Sequence, residues 1–414
     1  MEVGYNYLRK NNKHSLKDKL MKKIGLILAN PITNYGAHLQ AFATQFVVDQ
    51  LGIESAILDL SKIKNGCRYY IDWGFALFLE KAIKNKLFKK KQVPTGDKMF
   101  HQNKNERVFR AKEFRSRRLH DIIAFNTYDE LVQASRGLSA VMIGSDQMWL
   151  PGISFTSFNS LRFVPKGVAR LSYATSLGVS SYPRYCWSSA RDMWKRMDYI
   201  SVREEQGAKI IKDICGDKVD VKVVVDPTYL LSKAQWESLI PVQKMSEKKY
   251  VFCYFLGEDL QAKRCARRFA DKHHLHLVSI LSCESFTDID RTFADETVGA
   301  ASPEEFINWI RGAEYVFTDS FHGLAFSVIN HKQFFVFYRV RKDSKQSRNS
   351  RIDNILKMWH CEDRLLIDVN TDWSTKEINE IDYNEVESLV SEKRVDSLNY
   401  LKKALGVDED RRPL

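Results

Sequence analysis

The sequence predicts an α/β protein of two Rossmann-like domains with a cleft between them. Three observations carry this. Short apolar runs, of the kind a strand buried on both faces requires, alternate with stretches of helical period, as in parallel βαβ units. The alternation starts afresh after about residue 218, which argues for two stacked halves rather than one very wide sheet. The chain of 414 residues is long enough for two or three domains and a sizeable core.

Residues 1–22 form a polar extension, expected to be frayed and too polar for a signal peptide. The first half, residues 23–218, opens with KIGLILAN (23–30), a turn and the helical pattern Ala37–Asp49. ESAILDL (54–60) supplies the next strand and completes a βαβ unit, and AVMIGS (140–145), RLSYATS (170–176) and YISV (199–202) continue the sheet. The second half, residues 219–375, begins at VKVVVDP (221–227). It adds YVFCYFLG (250–257), LHLVSIL (275–281), EYVFTDS (314–320) and QFFVFY (333–338), with helices at Asp259–His273, Pro303–Arg311 and Leu324–Asn330 between them. Residues 376–414 hold a last amphipathic helix, Glu385–Leu405, expected to pack on the body, and a tail.

Composition narrows the function classes. With 28% charged and 44% hydrophobic residues the chain is neither disordered nor fibrous. The net charge of +12 suits anionic small molecules, an anionic lipid surface or nucleic acid without choosing among them. Seven scattered cysteines with no C-x-x-C pair read as reduced structural thiols of a cytosolic protein, and no metal site is expected. No run of about 18 apolar residues exists, so no spanning helix is expected.

Nearly all of the charge lies in one insertion. Residues 81–118 hold 14 Lys/Arg against 3 Asp/Glu, and WGFALFLEKAIKNKLFKKK (73–91) sets aromatic and aliphatic residues among lysines. A helix lying on an anionic membrane would have this composition, and so would a connecting helix with a solvated basic face.

The stretch EYVFTDSFHGLAFSVI (314–329) carries the most chemistry. A buried strand ends in Thr318-Asp319-Ser320-Phe321-His322-Gly323, and a helix starts there with its N–H groups pointing outwards, a ready anion site. Ser320 can donate to an anion or simply cap the helix. His322 stands where the helix dipole disfavours imidazolium, placed to accept a proton, or is a hydrogen-bonded loop residue. QFFVFY then feeds Arg339, Arg341 and Lys342 to the same sheet edge. GSDQMWLP (144–151) offers Ser145, Asp146 and Trp149, which suit a sugar, although Trp149 equally suits a core. Arg203 ends a strand in front of a helix, where its planar cation can hold carboxylate or phosphate, or pair with Glu204 or Glu205 at the surface. The loop NPITNYGAHLQAF (30–42) has one glycine, Gly36, and lacks both G-x-G-x-x-G and G-K-[ST], so dinucleotide and P-loop readings are poor.

The ordered set NYGAHLQAFA, IGSDQMW, SYATSLG, SVRE, VVVDPTYLL, TDSFHGLAFSVI and SRNSRIDNIL resembles the polysaccharide pyruvyl transferase family of the bacterial exopolysaccharide and capsule type, over about residues 23–370. The resemblance implies a GT-B-like fold and transfer of pyruvate from phosphoenolpyruvate onto two hydroxyls of a sugar, forming a ketal and releasing phosphate, with no cofactor. By the same resemblance Arg203, His322 and Lys342 are the catalytic set, with Arg348 and Arg351 as further anion ligands. Several members have Arg two residues before the histidine. This chain has Ser320 there, and Arg339, Arg341 or Arg351 is the candidate to supply the cation. The expected donor site is then Ser320, Gly323, Arg339, Arg341, Arg348 and Arg351, and the expected acceptor site Asn34, Tyr35, Gln40, Ser145, Asp146 and Trp149. The acceptor is expected to be a sugar or lipid-linked oligosaccharide, with the enzyme cytoplasmic and held at the inner face of the membrane through 73–118. Two rivals remain: a GT-B glycosyltransferase using a nucleotide sugar, and a non-catalytic basic protein binding polysaccharide or nucleic acid. Nucleic acid is not the expected partner, because the basic run carries no recognisable motif for it.

Overall fold

The computed structural model describes residues 23–29, 33–63, 98–151, 158–283, 287–339, 349–368, 371 and 379–407. Among these residues two five-stranded sheets form, and every ladder in both is parallel. The first holds β1 (Ile24–Ile27), β2 (Ser55–Asp59), β3 (Ile122–Ala124), β4 (Ala140–Ile143) and β5 (Ala169–Ser172) in the order β3-β2-β1-β4-β5. A two-stranded ladder, β6 (Ile200–Val202) with β7 (Val221–Val223), continues it through bridges Leu171–Tyr199 and Thr175–Val202. The second sheet holds β8 (Tyr250–Tyr254), β9 (His276–Ile280), β10 (Glu296–Val298), β11 (Tyr315–Thr318) and β12 (Gln333–Val336) in the order β10-β9-β8-β11-β12. Taken in order along the chain, the two sheets have the same strand order. This is the GT-B-like, two-Rossmann arrangement that the sequence predicts.

Central strands such as β1 and β8 are buried along their whole length, which is why their sequences are unbroken apolar runs. Two strands escaped the sequence, and both are sheet edges. All three residues of β3 are exposed, and β10 reads Glu-Thr-Val with its first two residues exposed, so neither presents a buried run. A third difference concerns VKVVVDP, which the alternation puts at the head of the second set. Its strand β7 pairs with β6 instead. Local pattern gives the strand but not its neighbour, because pairing depends on contacts distant in sequence.

The halves share a core. Helix α1 (Tyr35–Gln50) of the first half stacks Tyr35 on Phe306, with ring centroids 4.9 Å apart, and packs Phe42 on Trp236 at 5.9 Å. The last helix, Tyr383–Leu405, also spans the junction: Ser397 Oγ accepts from Val225 N–H, and the Tyr400 hydroxyl donates to Ser172 C=O.

Helix α2 (Lys98–Arg118) is the described part of the basic insertion, and it grips the second half. Arg107 is 1% exposed; its Nη2 donates to Leu281 C=O and Gly299 C=O, and its guanidinium lies 4.7 Å from the Tyr35 ring centre. Arg110 pairs with Glu305 at 2.9 Å, and Arg117 and Arg118 with Glu304 at 3.3 and 3.5 Å, all in the acidic first turn of the helix Pro303–Gly312. These cations pair with the carboxylates of that first turn, so part of the basic face of residues 98–118 is engaged against the second half. Residues 73–97 lie outside the described residues. Arg107→Met is expected to cost about 2 kcal/mol, because two buried carbonyls lose their donor. A lowered thermal midpoint checks this, and an unchanged one would show that Arg107 contributes nothing to the grip.

Candidate functional site

The site grows from the turn after β11. Thr318 Oγ1 donates to Tyr254 C=O at 2.6 Å and accepts from Ser320 N–H at 3.0 Å, which locks the turn to the end of β8. Asp319 accepts from Leu256 and Gly257 N–H, both at 2.7 Å, and Arg339 lies 3.9 Å away. Burial pushes the Asp319 carboxyl up despite Arg339 and the two donors, whose bonds tie this turn to the end of β8. Ser320 caps the helix Phe321–Ile329 by accepting from Gly323 N–H at 3.3 Å. Of the residues expected to cradle a phosphate, Ser320 and Gly323 are both buried, and the Ser320 hydroxyl, having accepted from Gly323 N–H, keeps its own O–H to donate.

His322, in the first turn of that helix, is 5% exposed. Its ring lies directly on Gly36 of α1: a Cβ at Gly36 would stand 2.1 Å from His322 Cγ and Nδ1. Its Nε2 is buried without a hydrogen-bond partner, 3.8 Å from Asp226 Oδ2. The same oxygen accepts from Arg203 Nη1 and from Ser145 Oγ, both at 2.7 Å. Burial alone would raise the Asp226 carboxyl, but His322, Arg203 and the Ser145 hydroxyl outweigh it and hold it far below the usual carboxylate range.

Arg203 follows β6 and is 3% exposed, so its pairing is no surface salt bridge. Burial opposes its charge, yet Asp226, Asp146 at 3.9 Å and Glu204 at 4.0 Å outweigh burial and move its pKa up. Its guanidinium carbon sits 4.0 Å from the centre of the Phe321 ring, while Nε and Nη2 make no hydrogen bond. Glu204 Oε1 accepts from Ser176 Oγ and from Leu177 and Gly178 N–H, while its Oε2 is buried without a hydrogen-bond partner 4.0 Å from Arg203 Nε. Arg351, on the helix Ser350–Met358, lies 5.9 Å from the same Phe321 ring with its Nε also unpartnered. Burial, then Arg203 and Arg339, pull its pKa down to about 9 against Asp146 and Glu204. Asn354 of that helix accepts from Glu205 N–H at 3.1 Å and donates to Arg203 C=O at 3.3 Å. It thus supplies across the halves the cap that the helix Glu205–Cys215 lacks from its own side chains. Arg203, Glu204, Asp226, Phe321, Arg351 and Asn354 line a small recess with a cavity volume of about 10 Å³. His322 stands behind Asp226.

The expected residues therefore divide. Arg203, His322, Ser145, Asp146 and Arg351 converge, and Arg339 reaches Asp319 beside them. Lys342, Arg341 and Arg348 lie outside the described residues. The expected acceptor contacts are corrected at three positions. Trp149 is fully buried with its indole N–H on Asn159 C=O. Tyr35 is buried at the junction, its hydroxyl accepting from Ala301 N–H, and burial pushes that phenol up to about 12. Gln40 is buried with its amide on Ala37 C=O. None of the three presents a surface to a sugar. Asn34 caps α1 by accepting from Ala37 N–H at 3.3 Å. Sequence reasoning missed Asp226 and Asn354, and named Glu204 only as a surface partner of Arg203. Asp226 carried a signal, since Asp-Pro-Thr marks a turn whose carboxylate accepts from the residue two further on.

The family model described as polysaccharide pyruvyl transferase matches residues 34–339. No curated protein is significantly similar. Among solved structures, UDP-GlcNAc 2-epimerase from Neisseria meningitidis bound to UDP-GlcNAc is 10% identical, over 91% of this chain and 100% of that one, with a TM-score of 0.44. The S. aureus MnaA–UDP co-structure is 13% identical over 95% and 99%, with a TM-score of 0.47. E. coli heptosyltransferase WaaC with ADP is 11% identical over 90% and 99%, with a TM-score of 0.34.

Proposed function

Because this chain belongs to the polysaccharide pyruvyl transferase family, we propose that it moves pyruvate from phosphoenolpyruvate onto two hydroxyls of one sugar, forming a cyclic ketal and releasing phosphate. One observation carries the reading most. Arg203 and Arg351, from opposite halves, flank a single phenyl ring beside the recess and leave guanidinium N–H groups unspent. One buried and one half-buried cation with N–H groups to spare call for an anion, and a donor with both a carboxylate and a phosphate can engage two planar forks at once.

In the reaction the donor's methylene carbon gains a proton and its C2 takes oxocarbenium character. One hydroxyl adds to C2, phosphate departs with the C2–O bond, and the second hydroxyl closes the ring. Of the two hydroxyl protons, one balances that taken up by carbon and the other leaves on phosphate. His322 Nε2 faces the Arg203–Asp226 pair with no competing partner, which suits it to move a proton there. Arg203 and Arg351 hold the donor, and the half-buried Asp146 beside Arg203 faces the acceptor side. Among the described residues no helix is long and apolar enough to cross a membrane. A lipid-linked acceptor presented at the inner membrane face agrees with the basic insertion, whose residues 73–97 lie outside the described part.

The test is incubation with phosphoenolpyruvate and a panel of lipid-linked sugars. Mass spectrometry is expected to show one sugar heavier by the mass of pyruvic acid less one water, with an equal amount of phosphate released. Phosphoenolpyruvate alone is expected to raise the thermal midpoint of the wild type and not of Arg351→Met. Nucleotide release from a nucleotide sugar, without consumption of phosphoenolpyruvate, would overturn the reading.

A further inference from the structure

Asp226 follows β7 and precedes the single turn Pro227–Leu230. Its two oxygens are divided. Oδ1 accepts from Thr228 N–H at 3.1 Å and Thr228 Oγ1 at 2.9 Å, which pins the carboxylate to its own turn. Oδ2 is the point where Ser145 and Arg203 of the first half meet His322 of the second, at 2.7, 2.7 and 3.8 Å. With one oxygen anchored to its own turn, the other cannot follow a partner, so a shift of one half against the other changes its distances to Ser145 and Arg203 together.

We propose that Asp226 is a positioning residue of this site: its Oδ2 fixes the Arg203 guanidinium and the His322 ring in one relation, and its charge stabilises the ring when a proton arrives on it. The gap to Nε2 is an ion-pair distance and not a hydrogen bond. Attraction across it therefore grows when the ring becomes imidazolium, which favours the transition state over the resting state. Arg203 is held for a different reason. Without the carboxylate it would be a buried cation with Asp146 and Glu204 only at 3.9 and 4.0 Å. Reaction is thereby confined to donors that Arg203 has seated.

The kinetic part of this proposal rests on the pyruvyl-transfer reading, and the spectroscopic part does not. Asp226→Asn keeps the shape and removes the charge. It is expected to lower kcat by about 100-fold in the wild-type background and by less than about 10-fold in His322→Ala, since groups that act as a unit are not additive. In the free enzyme, the His322 imidazole resonances, assigned by their loss in His322→Ala, are expected to move in Asp226→Asn. Ser145→Ala removes one donor to the same oxygen and spares the charge, so it serves where Asp226→Asn does not fold. It is expected to move the same resonances and lower kcat with KM unchanged. Equal losses in both backgrounds, or unmoved resonances in the folded variants, overturn the proposal. A wild type that fails to consume phosphoenolpyruvate sinks the pyruvyl-transfer reading, and the resonances still judge Asp226.

Discussion

His322→Ala is expected to lower kcat by about 10²–10⁴-fold, the usual worth of one positioned proton-transfer group. Two of the three carboxyl groups nearby are poorly placed to take over. Asp226 is held far below the usual carboxylate range, so it has no tendency to take a proton at neutral pH. Asp319 spends its oxygens on Leu256 and Gly257 N–H. Glu204 commits only Oε1, to Ser176, Leu177 and Gly178, and leaves Oε2 without a partner. Stability should change little beyond the cost of a small cavity, about 1–2 kcal/mol. The measurement is steady-state ketal formation beside thermal unfolding. Near-full turnover in a folded His322→Ala protein would remove the ring from the reaction.

Gly36→Ala should be nearly as severe, from a residue with no chemistry of its own. Gly36 lies inside α1 and takes no positive φ, so the glycine is not there for its backbone freedom. It is there for contact: an added Cβ would stand 2.1 Å from His322 Cγ and Nδ1 and 2.5 Å from its Cβ. Those atoms form the root of the side chain, not a flexible end, so either the ring rotates away from Asp226 or the helix Phe321–Ile329 recedes. Activity is expected to fall about 100-fold and stability by about 1–3 kcal/mol, as overpacking costs. In the His322→Ala background the destabilisation is expected to be smaller but not reversed, because the ring is gone while the Cβ of position 322, 2.5 Å from the new methyl, remains. Thermal midpoints of the four proteins check this, and destabilisation of equal size in both backgrounds would show that the ring is not what Gly36 accommodates.

The particulars show why some of the site was legible and some was not. His322 and Arg203 could be found because each follows a strand and precedes a helix, a place defined by local sequence and matched by the family pattern. Trp149, Tyr35 and Gln40 sit in equally suggestive loops and helix starts, yet all three are buried in packing between elements far apart in the chain. Residue type and local position cannot separate a ring that stacks on a sugar from one that stacks on Phe306. Asp226 was overlooked for the converse reason. Its turn is local, but the three groups meeting at its Oδ2 come from positions 145, 203 and 322.

What the sequence by itself determined was everything with a short period or a fixed local chemistry: the buried strands, the helices between them, the restart of the alternation and the turn that caps a helix beside His322. What only the tertiary structure decided was which surfaces meet. The edge strands β3 and β10, the pairing of β7, the grip of Arg107 on the second half and the contact of His322 with Gly36 are all long-range. Burial and charge pairing are properties of the assembled surfaces, and a chain fixes them only once distant residues have been brought within a few ångströms.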